Sequence, residues 1–403
     1  MVNWLERDQL LLQAAYGIRA FIFGYLNIAF PIYMSTAGLD SISIGLVITG
    51  AILFSSILSA VVGLAADRFG RKKMILMLAG IICTASIVLL VSNNIVIMIF
   101  VAIFGLFAGG PPAGNTFGVL QQVMLADVAP AKSRNSAFAG TFLISSVSAA
   151  GGSLMAGLPD FYRTFPNVSQ LESFRPLFII TAVLGVLYAS MLLPVREVKH
   201  ERTSSRILPK STSFVTRISG LAVIDGFGTA LVAPLLSYWF SITYNAPLTV
   251  IGTLFFTANL ISAGFYMLGP KVAGKIGVVK AIVFLHIPSD VLLMIQPLAP
   301  NFTIAAAIHL LRATTSIVDI PLRQSFIMGV ASPEERASVS GFSAFARNIS
   351  SSASPAVSGY TIQVISNVIP FFLSGTFQLV NDLSFYYLFR NTKPPEEASR
   401  ANP

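Results

Sequence analysis

The sequence predicts an all-α integral membrane protein with twelve transmembrane helices in two pseudo-symmetric bundles of six. Three observations lead to this fold class: the composition, a row of long apolar stretches, and the placement of the positive charges. Of 403 residues, 54% are apolar and 11% are charged, with a mean hydropathy of +0.76. Soluble domains carry about 25% charged residues. A chain this apolar has too little polar surface to cover a soluble fold, which excludes an ordinary soluble enzyme.

A transmembrane helix requires about 20 predominantly apolar residues. Twelve such stretches follow one another, separated mostly by short polar gaps. They are residues 10–35, 42–66, 73–91, 95–126, 135–158, 176–194, 218–244, 249–273, 280–298, 303–328, 337–365 and 367–389. The longest gap, 196–217, is highly charged. It predicts a cytoplasmic linker 196–217 between an N-terminal six-helix bundle, 1–195, and a C-terminal one, 218–403.

The positive charges distinguish the two sides of the membrane. When successive gaps are assigned to alternate sides, 20 Lys and Arg residues fall on one side and two on the other. Cytoplasmic loops carry an excess of Lys and Arg. The sequence therefore predicts a multi-pass protein of the cytoplasmic membrane, with both termini in the cytoplasm.

The remaining composition limits the possible partners. The net charge of +9 lies mostly in the gaps between spans, and no basic run is interleaved with aromatic residues, so we expect lipid and not nucleic acid as the surrounding partner. The single cysteine, Cys83, excludes disulfides and cysteine-based metal clusters. No metal ion and no cofactor is expected.

An internal duplication is indicated by equivalent loops. A shift of 207 residues places Gly70 on Gly277 and Lys73 on Lys280, in both cases just after an even-numbered span. The first of these loops has the more complete motif, Gly63-x-x-x-Asp67-Arg68-x-Gly70-Arg71-Lys72-Lys73.

This motif resembles the signature loop between spans two and three of the major facilitator superfamily (MFS), secondary transporters of twelve helices. The twelve spans, the six-plus-six repeat and the charged linker extend the resemblance over the whole chain. It implies two halves that rock about a central cavity, lined mainly by spans one, four, seven and ten. The arginine that antiporters often carry in span four is absent, and so is their glycine-proline signature in span five.

The resemblance also implies a role for the loop in gating. Asp67 would face the N-terminus of span eleven near Arg336, and Arg71 could pair with Asp127 at the end of span four. Such a cluster would close the cytoplasmic side. The alternative is that Arg68 to Lys73 only determine topology, but topology alone would not require Asp67.

Several charged residues fall inside predicted spans, where unpaired charges are costly. Arg312, Asp319 and Arg323 are spaced to lie on one face of span ten. Asp225 in span seven and Arg19 in span one lie at similar depth, and Arg347 lies in span eleven. The hypothesis is that Asp225 or Asp319 takes up a proton while Arg19, Arg312 or Arg347 binds a polar or anionic group. Static salt bridges are the alternative.

Three further buried groups are weaker candidates. His286 and Asp290 are four residues apart on one face of span nine, a spacing that could relay protons. A hydrogen-bonded buried histidine is the favoured interpretation, with Asp290 paired to Arg312. Asp382 in span twelve is interpreted as packing or as part of the cytoplasmic rim.

These features predict a monomeric secondary active transporter of a small solute, coupled to protons and working by alternating access. Efflux of amphipathic compounds and transport of a polar metabolite both remain open. A membrane-embedded enzyme acting on lipid would need a nucleophile, a metal or paired carboxylates at one membrane surface, which the sequence does not show. A receptor derived from a transporter would usually have a long soluble extension, whereas the tails here are about ten residues.

Overall fold

The computed structural model describes residues 4–107, 116–129, 134–197, 212–265, 268–316, 319–330 and 336–392. Every regular element within these ranges is helical. The first eight helices are α1 (Trp4–Thr36), α2 (Ser41–Phe69), α3 (Arg71–Val91), α4 (Ile95–Phe104), α5 (Thr116–Val128), α6 (Arg134–Met155), α7 (Leu158–Tyr162) and α8 (Arg175–Leu192). The remaining helices are α9 (Thr212–Val232), α10 (Leu236–Tyr244), α11 (Leu248–Phe265), α12 (Leu268–Ile276), α13 (Val278–Ile295), α14 (Phe302–Thr315), α15 (Asp319–Val330), α16 (Arg336–Tyr360) and α17 (Ile369–Phe389).

Eight helical segments of the described chain are long and apolar enough to cross a membrane. The predicted spans four and ten are each divided into two helices, α4 with α5 and α14 with α15, and two of these pieces are shorter apolar helices. Span seven is likewise interrupted by a 3₁₀ turn, Ala233–Leu235, between α9 and α10. The helices that are present are consistent with twelve spans.

The polar residues that separate the predicted spans cap the helices that follow them. The Asn94 side chain accepts hydrogen bonds from the amides of Val96 and Ile97 at the start of α4. Asn301 and Asp40 cap α14 and α2 in the same way. An N-cap oxygen of this kind satisfies amides that have no partner within the helix. The helix starts are thus determined by local chemistry that is visible in the sequence.

The helices bury one face and expose an apolar one, as expected in a bilayer. On α8, Phe178 and Thr181 are buried, and α8 packs against α3. Ile179, Val183 and Val186 on the same helix are more than half exposed. Large exposed apolar side chains at helical spacing indicate a surface in contact with lipid rather than water.

The chain forms two compact units. The first comprises Met1–Glu201 with Pro234–Leu260, and the second comprises Arg202–Ala233 with Ile261–Pro403. The segment Pro234–Leu260 is joined to the first unit by hydrogen bonds such as the one between the Ser41 and Tyr238 hydroxyls, at 2.8 Å. The boundaries of the two six-helix bundles stay a prediction, and most of the linker, 198–211, lies outside the described residues.

The loops that the sequence relates by a shift of 207 residues have the same backbone geometry. Gly70 joins α2 to α3 with φ +98° and ψ 137°, and Gly277 joins α12 to α13 with φ +89° and ψ 153°. Side chains other than glycine rarely adopt this conformation. Helix pairs correspond as well, because α1 packs on α6 as α9 packs on α16, and α3 on α8 as α13 on α17. These correspondences support the predicted duplication.

Small residues bring the helices of both major pairs close together. A Cβ atom on Gly152 of α6 would lie 2.1 Å from the Phe21 carbonyl oxygen of α1. In the second unit, serine hydroxyls of α16 donate to backbone carbonyls of α9: Ser350 to Val223 at 2.6 Å and Ser354 to Phe227 at 2.8 Å. Close approach through small residues and interhelical hydrogen bonds is typical of membrane helix packing.

Candidate functional site

The loop motif forms a network of polar contacts at one end of the first unit. The Arg71 guanidinium forms an ion pair with the Asp127 carboxylate of α5. The Arg71 backbone amide donates to Glu197, whose carboxylate also lies beside Gly70. Only glycine leaves room there without a shift, since a Cβ on Gly70 would be 2.8 Å from a Glu197 oxygen. The conformation of the turn at Gly70 and the position of the ion pair between Arg71 and Asp127 therefore depend on each other.

Lys72 ties the same loop to the end of α8. Its ammonium group donates to the carbonyl of Leu193 and, at 3.0 Å, to that of Val195. A cation at a helix C-terminus satisfies carbonyls that have no partner within the helix. The other basic members of the motif, Arg68 and Lys73, are exposed, as is Gly63. The side chains of Asp67 and Arg336 lie outside the described residues.

Arg19 is buried in the first unit. It is 2% exposed, and its guanidinium carbon lies 4.4 Å from the centroid of the Tyr16 ring. A cation over an aromatic face is stabilised by the ring quadrupole. Its guanidinium carries five N–H donors in a planar fork, a geometry that suits the binding of a polar or anionic group.

Asp225 and Arg347 form an ion pair in the second unit. Arg347 Nη2 on α16 lies 3.0 Å from Asp225 Oδ2 on α9, and the side chains are 44% and 17% exposed. Gly226 lets the two helices meet at this point, because a Cβ there would lie 2.5 Å from the Arg347 carbonyl oxygen. The pair is thus embedded in a span yet partly open, as a residue that binds a solute must be.

The charged residues of predicted span ten lie on two helices. Arg312 is on α14, and its Nε atom is buried with no hydrogen bond. Arg323 is on α15 and donates to Asp382 Oδ1 of α17 at 3.0 Å, with its guanidinium 5.0 Å from the Phe385 ring. The side chain of Asp319 lies outside the described residues. Sequence spacing alone gave no partner for Arg323.

A buried polar cluster links α13 to α17. His286 Nδ1 lies 2.8 Å from Asp382 Oδ2 and 3.5 Å from Asp290 Oδ1. Both carboxyl groups are completely buried. The pair His286 and Asp290 was visible in the sequence as an i, i+4 spacing, but Asp382 is 96 residues from His286. No pattern of neighbouring residues in the sequence indicated that Asp382 belongs to the cluster, because residues on different spans meet only through helix packing.

A second set of contacts joins the segment Pro234–Leu260 to the rest of the first unit. The Thr249 amide and hydroxyl both donate to Asp160 Oδ2, at 2.7 and 2.9 Å. Thr249 also packs on Gly157, and Asn259 donates to the Ser153 hydroxyl at 3.3 Å. These polar contacts were not anticipated from the sequence, in which Asp160 and Thr249 are 89 residues apart.

Comparison with known proteins places this geometry in a family. Residues 13–222 match the sequence profile of the Major Facilitator Superfamily. The chain belongs to this superfamily. The family and its solved structures make this multi-pass membrane protein a transporter rather than an enzyme, and give it the MFS fold.

Similar proteins cover nearly the whole chain. An uncharacterized membrane protein of Saccharomyces cerevisiae, YJR124C, is 20% identical over 422 residues, which span 95% of this chain and 94% of the yeast protein. The nucleoside transporter NupG is 14% identical with a TM-score of 0.73, covering 96% of this chain and 100% of its own. The inward open xylose transporter XylE from E. coli is 12% identical with a TM-score of 0.76, covering 98% and 99%.

Proposed function

We propose that this MFS transporter moves a small polar or anionic solute across the cytoplasmic membrane by proton-coupled alternating access. It works as a monomer with both termini in the cytoplasm and two six-helix bundles, 1–195 and 218–403. The observation that carries the proposal is the ion pair of Asp225 and Arg347 within the second unit. Charged residues inside a span are costly and therefore rare, and where they occur they mark a functional site by default.

The described arginines favour a polar or anionic cargo over an amphipathic one. The Nε atom of Arg312 is buried and has no hydrogen bond. A solute carboxylate, phosphate or hydroxyl satisfies such donors, and bonds to charged donors are about twice as strong as neutral ones. The named cargoes of the structural neighbours, nucleosides and xylose, are polar and support the same choice.

Proton coupling uses a carboxylate that lies beside an arginine within the second unit. When Asp225 is ionised, it occupies Arg347 at 3.0 Å. The sequence predicts Asp225 or Asp319 as the carboxylate that takes up the proton. Protonation removes its negative charge, which weakens an ion pair of this kind and frees the guanidinium for the solute. Net charge then moves less between states, which lowers the cost of exposing the site to either side.

Uptake into proteoliposomes tests the function. The wild type is reconstituted, and radiolabelled nucleosides, sugars and organic acids are screened under an inward pH gradient of one unit. One proton per solute supports about tenfold accumulation, since one pH unit corresponds to about 1.4 kcal/mol. We expect Asp225→Asn, Asp319→Asn and Arg347→Gln to lose at least nine-tenths of this accumulation.

The matched control is Asp40→Asn, which changes an exposed carboxylate that caps α2. Asparagine caps as well as aspartate does, so this variant should accumulate solute as the wild type does. Accumulation that persists after the pH gradient is collapsed would contradict proton coupling. If the variants Asp225→Asn and Arg347→Gln each accumulated solute as the wild type does, the ion pair would be only structural.

A further inference from the structure

The cluster formed by His286, Asp290 and Asp382 lies in the second unit, well away from the helix ends. His286 is eight residues from the start of α13, and Asp382 and Arg323 are each seven from the ends of α17 and α15. At 1.5 Å per residue these distances are about 10–12 Å from the helix ends that are predicted to be cytoplasmic. Asp290 is one helical turn deeper on α13. The cluster therefore lies inside the bilayer.

Asp382 has the partners that an ionised carboxylate needs. Oδ1 accepts hydrogen bonds from Arg323 at 3.0 Å and from Asn381 at 3.3 Å. Oδ2 lies 2.8 Å from His286 Nδ1. Such bonds offset part of the hydration that a carboxylate loses on burial. Asp382 is therefore the carboxyl group of the cluster that is held in place by hydrogen bonds.

Asp290 is in the opposite situation. It is completely buried, and neither of its carboxyl oxygens accepts a hydrogen bond. Burying an ionised carboxylate without donors costs several kcal/mol, and the group instead takes up a proton. Asp225 lies 3.0 Å from a guanidinium nitrogen of Arg347, whereas Asp290 lies 3.5 Å from the imidazole nitrogen of His286. Asp290 is thus better suited than Asp225 to carry an exchangeable proton.

His286 stands between the two carboxyl groups. Its Nδ1 atom is 2.8 Å from Asp382 and 3.5 Å from Asp290. One N–H group donates a strong hydrogen bond to one acceptor at a time. In one arrangement His286 donates its hydrogen bond to Asp382, and Asp290 is neutral. In the other His286 is protonated, and its positive charge stabilises an ionised Asp290. A small movement of the imidazole exchanges these two arrangements.

The geometry points to His286 and Asp290 as a shared binding site for one exchangeable proton, with Asp382 and Arg323 fixing the imidazole. This inference rests on the proposed function and names the residues that would couple it to protons. The Asp290 carboxylate takes the proton from a hydronium ion, which becomes water, and gives the proton back by the reverse step. No other reactant is needed.

Charged groups on the neighbouring helices set the field around this site. Arg312 on α14 and Asp382 act electrostatically on Asp290, and Asp225 on α9 interacts with His286, Arg323 and Arg347. The other titratable groups on α13 and on the helices that pack against it are His309 on α14, Lys275 on α12, Lys280 on α13, and Tyr386 and Tyr387 on α17. Lys271 on α12 and Asp319 on α15 belong to the same set, but their side chains lie outside the described residues. The site is thus connected electrostatically to the proposed solute-binding pair.

A divalent metal ion is the competing occupant. Ligand atoms of His286, Asp290 and Asp382 lie within 4.8 Å of one another, which is compatible with a metal site. Arg323 already occupies Asp382 Oδ1, and Arg312 adds a second positive charge near Asp290. Two guanidinium groups repel a divalent cation. A proton adds half that charge and needs no further ligands.

Infrared titration of the purified protein measures the proton directly and needs no solute. The carbonyl stretch of a protonated carboxyl group is separate from the bands of carboxylates. We expect a buried band in the wild type that is lost in Asp290→Asn and unchanged in Asp40→Asn. In His286→Gln, its titration midpoint should move by at least one pH unit. Because His286→Gln keeps both carboxyl groups, it tests the site even where Asp290→Asn does not fold.

Two results would overturn the inference. One is an identical band and midpoint in the wild type, Asp290→Asn and His286→Gln. The other is calorimetric binding of Zn²⁺ or Mn²⁺ to the wild type that Asp290→Asn abolishes, which would assign a metal site instead. Neither measurement involves transport, so a solute that fails to follow the pH gradient in proteoliposomes would refute the proposed coupling without altering the titration.

Discussion

Gly70 shows how a single residue supports the loop motif. Its φ of +98° lies in a region that glycine enters readily and other residues rarely do. The same turn lets Arg71 reach Asp127 with its side chain and Glu197 with its amide. Glycine at this position, and at Gly277 in the equivalent loop, is therefore explained by backbone geometry.

Gly70→Ala should destabilise the protein by about 1–3 kcal/mol, the usual cost of a non-glycine residue in a strained backbone region. The new Cβ would also displace the Glu197 carboxylate, which lies 2.8 Å away. Gly63→Ala is the control, since its Cβ would meet no atom within 4 Å. In the interior of α2 this change should stabilise by about 0.5–1 kcal/mol. Thermal melting in detergent measures both, and equal melting temperatures would contradict the argument.

At the scale of elements, the positions of the helices were predicted well and their interruptions were not. Hydrophobic length and polar gaps are local properties, so residues such as Asn94 and Asn301 mark helix starts in the sequence itself. The division of span ten into α14 and α15 was not predicted. The rotation of each helix about its own axis was not predictable either. The serines of α16 face α9 because of the way the two helices pack, which the sequence does not show.

The close crossing of α1 and α6 leads to a prediction about the stability of the protein. A Cβ on Gly152 would lie 2.1 Å from the Phe21 carbonyl oxygen, so Gly152→Ala must push the two backbones apart. Overpacking of this kind costs about 1–3 kcal/mol. Gly140→Ala on the same helix is the matched control, because its nearest neighbour would be Gln13 Nε2 at 3.5 Å. A fall in melting temperature for Gly152→Ala alone is expected. Equal loss in both variants would instead indicate a general intolerance of α6 to alanine.

At the scale of the whole molecule, the contact between Arg71 and Asp127 tests the gating role that the sequence predicts for the loop. A partly buried charge pair contributes about 1 kcal/mol, or about fivefold in rate if it forms in only one of two states. Asp127→Asn should therefore lower the maximal transport rate several-fold while leaving the solute KM near the wild-type value. The measurement is initial-rate uptake in proteoliposomes.

The charge-reversed double variant, Arg71→Asp with Asp127→Arg, keeps an opposite-charge pair and should recover part of the rate. Asp40→Asn serves again as the control. A raised KM with an unchanged maximal rate would assign the pair to solute binding and not to the conformational cycle. An unaffected rate in Asp127→Asn would leave the motif with its topological role alone.

The sequence by itself determined that this chain is a membrane protein. It also determined which residues form the helices and which loop resembles the MFS signature. Apolar length, polar breaks and the residues of a loop motif are properties of neighbouring positions in the chain, and they can be read without a structure. Only the tertiary structure decided which buried charges meet. Asp225 pairs with Arg347, and His286 with Asp382, across helices that are distant in the chain. Such pairings depend on how each helix is rotated and packed, because the energy of a charge in a bilayer is set by its neighbours in space.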